Sequence, residues 1–269
     1  MNISKQELQK LYLENNLTLV NIAERCGVSR GTIKKLLVQY SLYDPSRSTK
    51  LRFKHLRDNN LTDKQVEFIV GTMLGDGHLE YNSTNKYVRL TMTHCEKQLP
   101  YLEWKKDIMG TLVNNIKRYE QKTRNSIRWA WSSIYMTDLI RFYELFYVNG
   151  KKSIKQEIGQ FLTPLGMAIW IMDDGWKVQN CMIKISSESF SIDESELLRS
   201  IIKDNFNIDS YVYSFTRKRY NKEYNYSNIT FNKENSIKLT KLIEPYVISS
   251  MKYKLITIDP QRLHAKPTV

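Results

Sequence analysis

Cysteine, histidine and proline are scarce in this chain. Its 269 residues include 3 Cys, 4 His and 6 Pro, and an odd number of cysteines without close pairs argues against a disulfide framework or a structural zinc site. No apolar run approaches the roughly 20 residues that a bilayer span requires, and the first residues lack the apolar core of a signal peptide. We expect a globular protein without a membrane partner, in a reducing intracellular location such as the cytoplasm, the nucleoid or an organelle.

Acidic residues are also few compared with basic ones. The chain has 41 Lys and Arg against 28 Asp and Glu, a net charge of +13. Such an excess attracts polyanions and supplies the sequence-independent part of nucleic-acid affinity. Residues 1–61 alone hold 11 basic and 5 acidic groups. Together with 17 Tyr, 9 Phe and 5 Trp, the charge favours an extended nucleic-acid surface over a small-molecule pocket.

Apolar residues recur at helical spacing between residues 4 and 40 and predict three short helices. In the turn after the second helix, Gly27 can adopt a positive φ and Ser29 is placed to cap the third helix. This pattern resembles the helix-turn-helix of DNA-binding proteins, whose second helix enters the major groove. A three-helix cap without DNA contact is the alternative. The residues at the start of the recognition helix that would reach bases or phosphates are Ser29, Arg30, Thr32 and Lys34.

Residues 44–61 break the helical pattern with a proline, several turn formers and a basic run. We interpret this segment as a linker that follows a small domain at residues 1–43. Its Arg52 and Lys54 would either follow a DNA backbone or remain solvated.

Two apolar segments further along the chain each end on an acid followed by glycine. Residues 69–77 end on Asp76 and Gly77, and residues 167–175 end on Asp174 and Gly175. Thr62 and Gln65 have capping-box spacing at the start of the first helix, and Pro164 occupies the first turn of the second. Because its N-terminus lies closer to its acid, the second helix is predicted to be about one turn shorter.

The same order of elements is predicted after each acid. The first copy has strands 86–93, 111–121 and 127–136 with helices 96–109 and 137–147. The second copy has strands 181–188, 208–218 and 224–232 with helices 192–205 and 233–244. We therefore predict an α/β (α+β) fold of two αββαββα halves, residues 62–161 and 162–269, related by a pseudo-two-fold axis.

The two acid-ending segments, their spacing and the repeat around them resemble the LAGLIDADG homing endonucleases of the single-chain, two-motif type. The resemblance covers roughly residues 62–258. It implies saddle-shaped antiparallel sheets and two motif helices that pack against each other at the pseudo-symmetry axis.

Small residues usually occupy the third and seventh motif positions. Gly71 and Gly75 fit this pattern whereas Ile169 and Asp173 do not, so asymmetric packing is expected, with Ala168 as the substitute contact.

The resemblance also implies the site residues. Asp76 and Asp174 occupy the position whose carboxylate binds a divalent metal in the family, and the carbonyls of Gly75 and Asp173 would add oxygen ligands. Asp173 also competes with Asp174 as a ligand. Lys152 and Lys254 follow the closing helix of each half and match lysines that lie near metal-bound water. A single Asp-Gly ending is ordinary helix termination, but two copies in matched contexts favour a paired metal site.

The implied activity is site-specific hydrolysis of double-stranded DNA by a monomer that uses Mg²⁺, with Mn²⁺ as a substitute and Ca²⁺ binding without cleavage. Two alternatives stay open, namely an intron RNA maturase and a transcriptional regulator without catalysis. Further basic residues are candidates for DNA contact, although strand parity is not fixed by the sequence. They are Lys86, Arg89, Lys117, Arg118, Lys122, Arg124, Arg128, Arg217, Lys218, Arg219 and Lys222.

Overall fold

A computed structural model describes most of the chain, namely residues 3–15, 17–44, 61–84, 86–121, 126–179, 181–219 and 222–257. Contacts divide the chain into two compact units, Met1–Asn59 and Asn60–Val269, and each unit has its own apolar core. The proposed linker residues Arg52 and Lys54 lie outside the described residues. Within the described ranges, no helix is both long enough and apolar enough to cross a membrane.

The first unit contains the helices that the sequence predicts. They are α1 (Lys5–Gln9), which continues as a π-helical turn (Lys10–Glu14), α2 (Leu19–Cys26) and α3 (Arg30–Gln39). Gly27 ends α2 with a φ of 65°, in the left-handed region that glycine adopts without strain. The Oγ of Ser29 accepts the backbone N–H of Thr32 at 3.1 Å and so caps α3. The expected helix, turn and capped helix are therefore present.

The second unit consists of two halves with the same order of elements. The first half contains α4 (Asp63–Leu74), β1 (His78–Asn82), β2 (Tyr87–Cys95), α5 (Leu99–Met109), β3 (Lys117–Gln121), β4 (Ser126–Ser132) and α6 (Ile140–Phe146). A short β5–β6 hairpin (Tyr147–Val148 and Lys151–Lys152) follows. The second half contains α7 (Pro164–Asp174), β7 (Gly175–Val178), β8 (Met182–Ser186), α8 (Ile192–Phe206), β9 (Tyr211–Arg219), β10 (Lys222–Phe231) and α9 (Lys233–Ile243).

Each half forms one antiparallel four-stranded sheet with the same strand order. The order is β1-β2-β4-β3 in the first half and β7-β8-β10-β9 in the second. One face of each sheet is apolar and buried, as shown by Leu90 and Met92 in β2 and by Ile185 in β8. The opposite face, called here the open face, carries the alternate residues. The predicted duplicated αββαββα fold is confirmed.

Several predicted boundaries were wrong. The strands β1 and β7 were missed because each begins within four residues of a motif acid, where the Asp-Gly pair reads as the end of an element. Residues 111–116 do not form the start of a strand, since a 3₁₀ turn (Gly110–Leu112) occupies part of them. The second motif helix is not one turn shorter. It has 11 residues against 12, because α4 ends at Leu74 while α7 continues through Asp174.

The motif helices α4 and α7 cross at two glycines. A Cβ on Gly71 would lie 2.4 Å from the carbonyl oxygen of Gly166, and a Cβ on Gly166 would lie 3.3 Å from the carbonyl oxygen of Glu67. The small residue of the second helix at the crossing is therefore Gly166, one position before the motif. The expectation that Ala168 provides this contact was wrong, although packing is asymmetric as predicted. Ala168 is fully buried.

Gly71→Ala should destabilise the second unit, because the added methyl group would meet backbone atoms that cannot move aside. We expect a loss of about 1–3 kcal/mol, as for overpacked cores. Urea unfolding followed by tryptophan fluorescence measures it, since all 5 tryptophans lie in this unit. Gly159→Ala is the matched control, because its Cβ would lie 3.4 Å from the nearest atom of Ile201, an ordinary contact. Equal midpoints for both variants would contradict the close crossing.

Candidate functional site

The C-terminal ends of α4 and α7 bring the two motif acids into one site. Asp76 follows the end of α4 by two residues, and its side chain is 43% exposed. Asp174 is the last residue of α7 and is half-buried. Burial raises the pKa of Asp174, and the charges of Asp76 and Asp173 raise it further. Three acids therefore act on one another at the same helix ends.

Two lysines bind equivalent carbonyls at these helix ends. The Nζ of Lys152 donates to the carbonyl of Gly75 at 2.9 Å, and the Nζ of Lys254 donates to the carbonyl of Asp173 at 2.7 Å. Gly75 and Asp173 both occupy the seventh motif position, so the two contacts follow the pseudo-symmetry. In each half the lysine satisfies a carbonyl that the helix terminus leaves free. The neighbours Lys151 and Lys252 are exposed instead.

The carboxylate of Asp173 is buried and fully engaged. Its Oδ1 accepts hydrogen bonds from the Nζ of Lys105 at 2.6 Å and from the hydroxyl of Tyr101 at 2.8 Å. Its Oδ2 accepts the backbone N–H of Asp76 at 3.2 Å. The Nζ of Lys105 also lies 3.2 Å from the Nε2 of His94. The carboxylate of Asp173 is therefore committed to the protein interior.

The pKa values of the site residues reflect desolvation and mutual repulsion. Burial, followed by the charges of Asp76 and Asp173, raises the pKa of Asp174 to about 7. Desolvation, followed by the charge of Asp173, also raises the pKa of Asp76. Burial lowers the pKa of both Lys152 and Lys254, while the nearby acids oppose that shift. A divalent cation would relieve the repulsion between the two motif acids.

The donor set fits a hard divalent cation. The carboxylates of Asp76 and Asp174 are oxygen donors, which Mg²⁺ prefers. The carbonyls of Gly75 and Asp173 each accept one lysine hydrogen bond and keep a second lone pair for a cation. A different group, Asp76, His94 and Asp173, places ligand atoms within 4.8 Å of one another. That group fits poorly, because Asp173 already accepts three hydrogen bonds and both ring nitrogens of His94 have partners. The Nε2 of His94 faces the Lys105 ammonium, and its Nδ1 lies 3.3 Å from the Oε1 of Gln98. Burial and the charge of Lys105 lower the pKa of His94 to about 4, so His94 is neutral near pH 7.

The strand register shows which of the predicted DNA contacts lie on the open face of each sheet. Arg89, Lys117 and Arg128 share the open face of the first sheet, and Arg217 lies on that of the second. Arg118 and Lys218 alternate to the opposite face. On the open faces Arg89 pairs with Glu80 and Arg217 with Glu188, and on the opposite face Arg118 pairs with Glu120 and Lys218 with Glu223. Lys86 is exposed in the turn before β2. The side chains of Lys122, Arg124, Arg219 and Lys222 lie outside the described residues.

The open faces of the two sheets differ in chemistry. The first carries small, polar and charged residues together with Tyr87 and Tyr119, beside a groove of about 490 Å³ that Thr91, Tyr119 and Arg128 help to line. The second carries a ladder of exposed or half-exposed aromatic rings, interleaved with the cations Lys184 and Arg217. The ladder consists of Trp176, Tyr211, Tyr213, Phe215, Tyr224 and Tyr226.

Residues at the start of α3 have partly structural roles. The hydroxyls of Ser29 and Thr32 bond each other at 2.9 Å within the N-terminal cap. The Nζ of Lys34 lies 5.3 Å from the centre of the Tyr43 ring. Arg30 is exposed, and its side chain makes no hydrogen bond to the residues that the structure describes. Of the four predicted contacts, Arg30 is therefore the least engaged in folding the unit.

The sequence patterns did not single out Lys105, Tyr101 or the buried position of His94. A period-4 spacing could have found the first two, because Tyr101, Lys105 and Met109 all lie on the buried side of α5. A period-2 spacing places His94 on the buried face of β2 with Met92. Neither signal identifies Asp173 as the shared partner, since that contact joins the two halves.

Comparisons with known proteins agree with this geometry. Residues 66–239 match the model of the LAGLIDADG DNA endonuclease family. The cytochrome b mRNA maturase bI2 of Saccharomyces cerevisiae is 28% identical over 248 residues, which covers 81% of this chain and 56% of the relative. The DNA endonuclease I-ChuI of Chlamydomonas applanata is 26% identical over 212 residues, which covers 73% of this chain and 96% of the relative.

Other matches extend the comparison. Mycolicibacterial proteins named RecA are 28% to 30% identical, and the chain spans about half of their length. Among solved structures, the homing endonuclease I-WcaI bound to its DNA recognition sequence superposes with a TM-score of 0.67 at 23% identity. That match covers 81% of this chain and 96% of the other, and it shows a shared fold.

Asp174→Asn should change the pH dependence of stability in metal-free protein. Because burial raises the pKa of Asp174 to about 7, the folded state keeps a proton that the unfolded state releases above its ordinary pKa. This residue therefore lowers stability as the pH rises from about 4 to 7. We expect the variant to exceed the wild type in urea-unfolding stability at pH 8 and to converge with it towards pH 4. A difference that is constant with pH would contradict the buried, repelled carboxylate.

Proposed function

Because this chain belongs to the LAGLIDADG DNA endonuclease family, we propose that it is a monomeric, magnesium-dependent, site-specific endonuclease that hydrolyses both strands of a DNA duplex. The observation that carries this proposal is the pairing of Asp76 and Asp174 at the ends of two crossed helices. One acid comes from each half, as two antiparallel DNA strands would require. A protein that only binds DNA has no need to keep two partly buried, mutually repelling carboxylates together.

The carboxylates of Asp76 and Asp174 would hold the metal, with the carbonyls of Gly75 and Asp173 as further oxygen donors. When bound, Mg²⁺ supplies Lewis acidity and neutralises charge on the scissile phosphate. We expect Mn²⁺ to substitute for it and Ca²⁺ to bind without supporting cleavage. Lys152 and Lys254 each present an ammonium group at one motif end, where positive charge stabilises the extra negative charge of the pentacovalent phosphate.

The open faces of the two sheets would each follow one half of the target in the major groove. Arg89, Lys117 and Arg128 in the first half can donate to guanine edges or phosphates. The aromatic ladder of the second half offers apolar rings, which suit contact with thymine methyl groups. The two half-sites would therefore differ in sequence, as expected for a single chain with unequal halves.

An RNA maturase is the second candidate, because the matching protein bI2 is named as an mRNA maturase. Exposed aromatic side chains also stack on unpaired bases, so the ladder of the second half suits single-stranded RNA as well. Tight binding of an intron RNA without any DNA cleavage would favour this candidate. A transcriptional regulator is less suited to the site, since regulation does not use the paired acids.

Asp76→Asn and Asp174→Asn should each abolish DNA cleavage while leaving DNA binding intact. The target is first selected by binding from a randomised duplex library, and the selected duplexes are then incubated with protein and Mg²⁺. Wild type should cut both strands, and each variant should lose at least about 100-fold in rate, because electrostatic stabilisation of the transition state is lost. Gel-shift affinity in Ca²⁺ measures the retained binding.

Asp209→Asn is the matched control for these variants, because it removes a carboxylate that pairs with Lys203 on the surface, at 2.9 Å. It should cut at the wild-type rate. A wild-type protein that binds its selected duplex but leaves both strands intact would overturn the endonuclease proposal.

Removal of residues 1–44 should weaken DNA affinity or shorten the selected site if the helix-turn-helix contacts DNA. The second unit has its own core and should remain folded without this segment. Arg30→Ala in the full chain is the milder form of the same test, with an expected loss of roughly 1–3 kcal/mol if Arg30 contacts a base. Unchanged affinity and an unchanged site for both proteins would refute DNA contact by the first unit.

A further inference from the structure

One hydrogen bond links the second motif to the backbone of the first motif acid. The Oδ2 of Asp173 accepts the backbone N–H of Asp76 at 3.2 Å. Asp173 itself is held from the first half, since Lys105 and Tyr101 both donate to its Oδ1 at 2.6 Å and 2.8 Å. The side chains of Lys105 and Asp173 are 0% exposed. The position of Asp76 is therefore tied to a buried ion pair that spans the two halves.

Among the residues that the structure describes, no equivalent ion pair reaches from the second half to the first motif. The seventh motif position that holds Asp173 in α7 is Gly75 in the first motif. A Cβ on Gly75 would lie 2.5 Å from the Cβ of Asp173 and 2.6 Å from its Oδ2. Glycine at this position leaves the space into which Asp173 points. The first motif therefore sends no carboxylate into the second half.

The buried polar residues next to the sheet also differ between the two halves. His94 in the first half corresponds by strand register to Ser187 in the second, because His78 pairs with Thr91 and its counterpart Trp176 pairs with Lys184. Ser187 lies 3.0 Å from the hydroxyl of Ser227, which lies 2.8 Å from that of Ser195. The second half therefore fills this region with neutral hydroxyls, whereas the first half supplies an ammonium group for Asp173.

We propose that Lys105 and Asp173 are positioning residues that fix the Asp76 backbone and make the two motif acids unequal. The proposal rests on the proposed endonuclease function for its effect on cleavage, but not for its effect on the backbone. A buried ion pair adds little net stability, because desolvation offsets the attraction between its charges. Apolar residues of the same volume would fill this space equally well. What they would not supply is an acceptor for the Asp76 amide.

Two double variants separate these roles. Lys105→Met with Asp173→Leu replaces the pair by apolar side chains of similar volume and removes the acceptor. Lys105→Met with Asp173→Asn also removes both charges but keeps an acceptor oxygen at the same place. The two proteins differ mainly in that oxygen. Ser187→Ala is the control in the second half, since it removes a buried hydrogen bond that touches no motif acid.

The first readout is hydrogen exchange of the Asp76 backbone amide in metal-free protein without DNA. The wild type should protect this amide although it lies beyond the end of α4, because Asp173 holds it. The Asn variant should retain protection and the Leu variant should lose it. Rapid exchange in the wild type, or equal protection in both double variants, would overturn the proposal. Should the Leu variant not fold, the wild-type exchange rate still decides.

The second readout is the rate at which each strand of the selected duplex is cut at saturating protein in Mg²⁺. The Leu variant should slow cleavage about 10- to 100-fold, as for misplaced catalytic groups, and should slow one strand more than the other so that nicked plasmid accumulates. The Asn variant should recover most of the rate, and Ser187→Ala should leave the strand ratio unchanged. Wild-type rates and ratios in a folded Leu variant would overturn the proposal. If wild type cuts no DNA, the proposed function fails while the exchange result still tests the positioning role.

Discussion

The close crossing of the two motif helices is the contact on which the rest of the second unit depends. Gly71 and Gly166 let the helix backbones approach until an added Cβ would overlap a carbonyl group. Because both helices run to their C-terminal ends from this crossing, Asp76 and Asp174 meet at one site. Each sheet follows one motif helix along the chain, the first sheet after α4 and the second after α7. The crossing therefore also places the first sheet beside Asp76 and the second beside Asp174.

The site that results is costly in electrostatic terms. Asp76, Asp173 and Asp174 lie close enough for each to disfavour the charge of another. The charges of Lys105, Lys152 and Lys254 oppose this repulsion. Lys105 donates to the Asp173 carboxylate itself, while hydrogen bonds to backbone carbonyls hold Lys152 and Lys254 beside the acids. The motif helices themselves are almost wholly apolar and buried, so the free energy of their packing can offset this repulsion. Keeping both acids at this site therefore lowers the stability of the folded protein in the absence of a cation.

Much of the fold and of the candidate site could be predicted from the sequence, because a weak pattern that occurs twice in matched contexts is more informative than a single copy. Asp76 with Asp174, and Lys152 with Lys254, stand in matched contexts, and the structure places each pair at equivalent positions. The crossing glycine could not be predicted as reliably. Gly166 precedes the motif by one residue, and only the helix geometry distinguishes it from Ala168. Lys105 was hidden for a different reason, since its partner Asp173 belongs to the other half and local spacing reports only that Lys105 faces inward.

Under the proposed function, one acid from each half holds a divalent metal at the DNA. Anomalous diffraction from crystals of the complex with its selected duplex and Mn²⁺ tests it most directly. We expect manganese bonded to carboxylate oxygens of Asp76 and Asp174, with the side chain of Asp173 still paired to Lys105. Manganese bonded to the side chains of Asp173 and His94, or no manganese at either motif acid, would contradict it.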